Sequence, residues 1–252
     1  MIADESRSSA LPADRKVIVA IDGPSGAGKS TIARHLARRF GLLNLETGAM
    51  YRAFALKALR ANLSLDDSKA LESLAAQTSI RLESGLDSGE DHNRVFLDGE
   101  NVTSLLRNQT VTDAASRASV FPAIRAWMVD LQQQLGAHGG VVMEGRDIGT
   151  VVFPHAEVKI FLDAAPEVRG LRRYDQMEQS GPTPTIQPEE VIRDLRARDE
   201  RDRNRADSPL KPAPDAIPLD STNMTLEEAV RAAEAIVVEK LDKLEKLRQP
   251  VP

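Results

Sequence analysis

Eight consecutive residues, Gly23-Pro24-Ser25-Gly26-Ala27-Gly28-Lys29-Ser30, fit the pattern G-x-x-x-x-G-K-[ST] in full. Glycine at these positions lets backbone N–H groups turn inward around an anionic phosphate. A helix beginning there adds its positive end. Lys29 is placed to reach the outer phosphates of a nucleotide and Ser30 to ligate Mg²⁺. Three further stretches are rich in arginine and carboxylate: Glu46-Thr47-Gly48-Ala49-Met50-Tyr51-Arg52, Glu144-Gly145-Arg146-Asp147-Ile148-Gly149-Thr150, and Arg198-Asp199-Glu200-Arg201-Asp202-Arg203-Asn204-Arg205. At helical spacing Arg198, Asp202 and Arg205 share one face. Taken alone, that last stretch also suits a solvated helix laced with ion pairs. Forked guanidinium groups are the chemistry that phosphate oxygens call for.

The elements that must position these residues follow from patterning. Val17–Ile21 is a β-branched run of the buried-parallel-strand kind, and a helix is expected from about Lys29 to Phe40, stopped by Gly41. Helices are expected over 48–61 and near 67–77. Ile80–Glu83 and Val95–Leu97 read as short strands separated by a polar loop over Gly85–Asn93, and Asp98-Gly99 is a turn signal. Helices resume near 104–119 and 122–136, and Gly139-Gly140 breaks the second. Val141–Met143 and Val158–Leu162 are two more buried strands, and Pro166 suits the first position of a helix. A proline-rich connector over 180–188 leads to a charged helix at about 188–205. Ile217–Leu219 is a short last strand. Thr225 with Glu228 forms a capping-box pattern for the final helix. Strands alternating with helices predict an α/β layer fold with a mostly parallel sheet. Residues 1–15 are expected to be a flexible tail and 249–252 a frayed end.

Composition narrows the function. The chain has 252 residues and a net charge of −5, which disfavours bulk binding of nucleic-acid polymers, and its nine aromatics offer few stacking platforms. It has no cysteine, which excludes disulfides, thiolate metal sites and a cysteine nucleophile. His35, His92, His138 and His155 fit no zinc-ligand spacing. No segment approaches the roughly 20 apolar residues of a membrane span, and the first residues do not pattern as an export signal, so a cytoplasmic location is expected. A phosphate loop alone does not name a reaction. The guanine-reading N-K-x-D string, the D-x-x-G switch motif and L-S-G-G-Q are all absent. A small-molecule kinase is favoured by elimination. Elimination leaves the acceptor open, UMP, AMP and shikimate among the alternatives, and a regulatory or RNA-binding module using the 193–205 arginines is the alternative of another class.

Five strings together resemble the bacterial cytidylate kinases: Ile21 through Ser30, Thr47–Arg52, Gly145-Arg146-Asp147-Ile148-Gly149-Thr150-Val151-Val152-Phe153-Pro154, Lys159–Ala164 and Arg201–Arg205. The resemblance covers roughly residues 17–241. It implies a P-loop NTPase three-layer fold with a parallel core sheet, over a single domain at 16–248. It also implies a nucleoside-monophosphate-binding region at about 47–120 with a small antiparallel insert at about 78–103, and a short helical lid at about 169–206. It implies transfer of the γ-phosphoryl group of ATP to CMP or dCMP with Mg²⁺. Gly23 through Thr31 would hold ATP. Thr47, Arg125 and Asp147 would read cytosine, with Ser116 nearby. Arg52, Arg146 and Arg205 would hold the CMP phosphate, and Arg198 and Asp202 the ribose hydroxyls. Arg172, Arg173 and Arg201 would clasp the transferring group alongside Lys29, and Glu144 would orient Mg²⁺-bound water. The partners implied are small molecules, without nucleic-acid polymer or membrane, and a monomer is expected.

Overall fold

Every strand of the main sheet is parallel. In the computed structural model, which describes residues 17–83, 93–180 and 186–248, that sheet has the order β2-β6-β1-β7-β8. Its strands are β1 (Ile18–Asp22), β2 (Leu43–Glu46), β6 (Val141–Gly145), β7 (Val158–Asp163) and β8 (Ile217–Asp220). β1 and β6 lie inside the sheet with nearly every side chain buried, which is why both read as continuous apolar runs rather than alternating ones. The expected tail and C-terminal end, most of the loop before Asn93 and residues 181–185 of the connector lie outside the described residues.

Two apolar layers cover the sheet. On one face Val19, Ile21, Val142, Ile160 and Leu162 pack against α1 (Lys29–Phe40) and α8 (Leu226–Arg248). On the other, Ala20, Leu45, Val141 and Met143 pack against α2 (Thr47–Arg60), α4 (Gln109–Ala118) and α5 (Pro122–Gly136). The alternation of Val19 and Ile21 against Ala20 sends successive residues of β1 to opposite layers. The helix ends carry the expected signals. Gly41 closes α1 at φ 64 with its N–H on the Ala37 carbonyl, and Pro166 opens the helix Pro166–Ser180. The Thr225 hydroxyl accepts from the Glu228 N–H while a Glu228 carboxylate oxygen accepts from the Thr225 N–H, the reciprocal capping box.

α3 (Ser68–Ala75) precedes a second sheet, in which β3 (Ile80–Glu83), β4 (Arg94–Leu97) and β5 (Glu100–Asn101) are antiparallel. The β4–β5 turn is Asp98-Gly99, with φ of 49 and 89, the left-handed pair a two-residue hairpin requires. Ile80, Leu82, Val95 and Leu97 face the same core as α2, and the Asn93 side-chain amide donates to the Asn44 carbonyl of β2 at 2.8 Å. The insert is thereby fixed to the main sheet.

Two expectations change. The helix read over 104–119 is a short 3₁₀ turn at Thr103–Leu105 followed by α4, because the Asn108 side chain accepts the Thr110 N–H at 2.8 Å and starts the helix afresh. β2 had no sequence signal of its own. It is an edge strand of four residues, Leu-Asn-Leu-Glu, with Leu43 exposed. The last two helices, α6 (Pro166–Ser180) and α7 (Pro188–Asn204), pack on each other and carry the arginine-rich segment.

Candidate active site

Strand register assembles the site. Asp22 at the end of β1 lies opposite Gly145 at the end of β6, and Glu144 pairs with both Ile21 and Glu46. The Gly23–Ser30 loop, the Gly145–Thr150 segment and the start of α2 therefore leave neighbouring strands at one edge of the sheet. That is the edge where parallel α/β sheets bind ligands.

The Gly23–Ser30 loop takes the conformation that its glycines permit. Gly23, Gly26 and Gly28 have φ of 152, 78 and 98, and a Cβ on Gly23 would lie 1.9 Å from the Leu162 carbonyl oxygen. Lys29 is buried, and its Nζ donates to the Pro24 carbonyl at 2.7 Å. Burial, and then the Arg146 guanidinium, lower its pKa to about 7. The Ser30 hydroxyl bonds the buried Glu144 carboxylate, whose pKa is raised by burial and by Glu46. One oxygen of Glu144, Oε1, has no hydrogen-bond partner. Thr31 stands in the first turn of α1, its N–H on the Gly28 carbonyl at 3.1 Å.

On the acceptor side, Arg125 and Asp147 form a buried ion pair, and Arg125 also donates to the Ser119 carbonyl at 3.3 Å. The Arg125 guanidinium lies 5.8 Å from the Tyr51 ring centre. Burial lifts the Tyr51 phenol to about 12. Thr47 donates to the Glu144 carbonyl at 2.7 Å, which seats the start of α2 against β6. Arg146 Nε donates to Asp202 at 3.0 Å, and Arg205 approaches the other Asp202 oxygen at 3.7 Å. Arg52 pairs with Glu46, and Arg201 donates to the Ser116 hydroxyl at 3.3 Å.

The cluster holds more positive charge than its carboxylates satisfy. Nε of Arg52, Arg125 and Arg198 and one terminal nitrogen of Arg205 are buried without a hydrogen-bond partner. Burial and then Arg146 lower the Arg198 pKa to about 10. Arg173 and Arg205 are lowered first by burial; next in weight are Arg52 for Arg173 and Arg125 for Arg205. Guanidinium groups crowded together with buried, unpartnered donors fit an anion with several acceptor oxygens.

The structure brings together all of the predicted residues except one. The Arg172 guanidinium turns to the loop after β8, donating to the Ser221 hydroxyl and carbonyl and to the Met224 carbonyl at 3.1, 2.8 and 3.2 Å. Three residues escaped sequence reading. Arg107 acts by its charge on Glu46 and Arg173. Arg169 is fully buried and donates to the Ser25 carbonyl of the phosphate loop at 2.9 Å. Asp22 accepts two backbone N–H groups of the Gly145–Thr150 segment. Asp22 stands inside a string singled out above and Arg169 at the start of the expected lid, but their partners in the phosphate loop and the Gly145–Thr150 segment are distant in sequence.

The sequence model of the cytidylate kinase family matches residues 19–239. A cytidylate kinase of Pasteurella multocida (strain Pm70) is 42% identical over 227 residues, covering 90% of this chain and 97% of the relative. One of Solibacter usitatus (strain Ellin6076) is 47% identical over 223 residues, covering 88% and 93%. One of Pelotomaculum thermopropionicum (strain DSM 13744 / JCM 10971 / SI) is 47% identical over 213 residues, covering 84% and 92%.

Proposed function

The chain belongs to the cytidylate kinase family, and from that premise we propose how its cleft transfers the γ-phosphoryl group of ATP to CMP or dCMP. The observation that carries the proposal is the set of buried guanidinium nitrogens without partners on Arg52, Arg125, Arg198 and Arg205, at the edge of the sheet where the Gly23–Ser30 loop emerges.

Gly23 through Thr31 wrap the phosphates of ATP, and Lys29 leaves the Pro24 carbonyl to bond them. Cytosine offers an amino donor at N4 and acceptors at N3 and O2. Asp147 accepts from the first and Arg125 serves the second, with Thr47 and Ser116 alongside. Arg52, Arg146 and Arg205 hold the acceptor phosphate. Arg198 and Asp202 meet the ribose hydroxyls.

The acceptor oxygen is already anionic at neutral pH, because the second phosphate pKa is about 6. No general base is required. Transfer rests on alignment and on neutralising the charge that spreads over the moving group. Arg173 and Arg201 meet that group from α6 and α7. Arg172 joins them only by leaving the Ser221 and Met224 carbonyls. Ser30 and the unpartnered Oε1 of Glu144 suit a hydrated Mg²⁺, with Ser30 as ligand and Glu144 acting through water. Held there, Mg²⁺ would supply positive charge against the charge that develops on the phosphate oxygens.

In this reading residues 16–248 form one kinase domain, in which 47–120 binds the acceptor and 169–206 acts as the lid that excludes water. The enzyme works as a cytoplasmic monomer on small molecules. No helix among the described residues is long and apolar enough to cross a membrane. The test is a coupled ADP-release assay with CMP, dCMP, UMP, AMP and shikimate as acceptors. CMP and dCMP are expected to give the highest kcat/KM, and a better UMP, AMP or shikimate rate would overturn the assignment of the base-reading residues.

A further inference from the structure

We infer that Asp22, which ends β1 at the root of the phosphate loop, is a positioning residue that aims the acceptor-reading Asp147; the inference rests on the reading of Asp147 given above. The segment after Asp147 forms a single π-helical turn over Ile148–Val152. Its internal bonds run from the N–H groups of Val151 and Val152 to the Asp147 carbonyl at 2.9 and 3.2 Å, and from the Phe153 N–H to the Ile148 carbonyl at 2.6 Å. The first N–H groups of any helical turn have no partner within it. Here Ile148 and Gly149 both donate to Asp22, one to each carboxylate oxygen, at 2.7 Å. The cap thus comes from a residue 126 and 127 positions away in sequence, on the strand that carries the phosphate loop.

Asp22 itself is buried and lies within electrostatic reach of both Lys29 and Asp147. Its next residue is Gly23, whose tight approach to Leu162 fixes the start of the loop. One carboxylate is therefore attached by its backbone to the donor site and by its side chain to the turn that follows the acceptor-reading residue. A two-oxygen acceptor holds two N–H groups at once. An amide holds one and sets its own N–H₂ against the other.

Asp22→Asn is the test, with kcat and KM measured for CMP, UMP and ATP, and the melting temperature measured in parallel. The kcat/KM ratio of CMP over UMP is expected to fall about tenfold, the scale of one lost hydrogen bond to a charged group, while the KM for ATP shifts less than about threefold. An unchanged CMP-to-UMP ratio, with or without a lower melting temperature, would overturn the inference, as would equal rises in the KM values of CMP and ATP. Gly149→Ala approaches the same contact from the other side. Its added methyl would lie 3.3 Å from Asp22 Oδ2 and 3.1 Å from Lys159 Cδ, and the same loss of selectivity is expected should Asp22→Asn not fold. A wild-type enzyme with no preference for CMP would instead sink the base-reading assignment, which separates the two failures.

Discussion

Arg169 of α6 and Asp199 of α7 form an ion pair in which the two side chains are only 1% and 7% exposed. Arg169 also donates to the Ala164 carbonyl at 2.7 Å and the Ser25 carbonyl at 2.9 Å, so one guanidinium joins α7, the end of β7 and the phosphate loop. Removing one partner of a buried pair strands the other charge. Arg169→Met is expected to lower stability by about 3–5 kcal/mol. The double variant Arg169→Met, Asp199→Leu is expected to recover part of that loss. Calorimetric unfolding of the three proteins checks this, and a loss below about 1 kcal/mol in the single variant would show that the pair is not structurally important.

Gly23 cannot gain a side chain in its present conformation, because the new Cβ would meet the Leu162 carbonyl oxygen at 1.9 Å. Gly23→Ala must shift the loop or β7. Nucleotide affinity is expected to fall by at least about 100-fold, on the scale of a misplaced phosphate cradle. Titration of ADP into folded variant protein reads it directly, and unaltered affinity would mean that the loop is laxer than its geometry implies.

Lys29 has a pKa lowered to about 7 by burial and the nearby Arg146. A phosphate on its ammonium favours the charged form and raises that pKa. At pH 7.5 part of the free enzyme therefore carries neutral Lys29, and nucleotide binding draws a proton in. At pH 6 Lys29 is already charged and its uptake vanishes. Binding calorimetry in buffers of different ionisation enthalpy, with Lys29→Met as the reference, is expected to show uptake of a fraction of a proton at pH 7.5 that disappears at pH 6. A constant difference across that range would contradict the assignment.

Arg172 and Arg173 are adjacent but differently placed. Arg173 feels Arg52 and Arg107 in the cluster, whereas Arg172 ties α6 to the loop after β8. Arg173→Ala is expected to cost about 10³-fold in kcat, the scale of an arginine finger, with little change in melting temperature. Arg172→Ala is expected to lower the melting temperature as well, because it frees the Ser221 and Met224 carbonyls. Identical profiles for the two variants would remove the distinction.

Much of the fold was legible because its signals are local. Gly41, Pro166, Asp98-Gly99 and the Thr225–Glu228 box each act within a few residues. β2 was missed because a four-residue edge strand of mixed polarity has no pattern to detect. The phosphate loop and the Gly145–Thr150 segment announced themselves by residue type. Asp22 and Arg169 did not, since what makes them matter is a partner more than 100 residues away. Arg172 was grouped with Arg173 by the family resemblance, and only the fold separates them.

The pairing of Arg125 with Asp147 leads to the most direct test. Steady-state kinetics of Asp147→Ala, with CMP and ATP varied in turn at a temperature where the protein is folded, separates acceptor reading from donor binding. Expected is a loss of at least about 100-fold in kcat/KM for CMP, on the scale of a site whose buried hydrogen-bonding group is left without its partner, with the KM for ATP changed less than about threefold. Equal damage to CMP and ATP would contradict the reading of Asp147 as the residue that recognises cytosine.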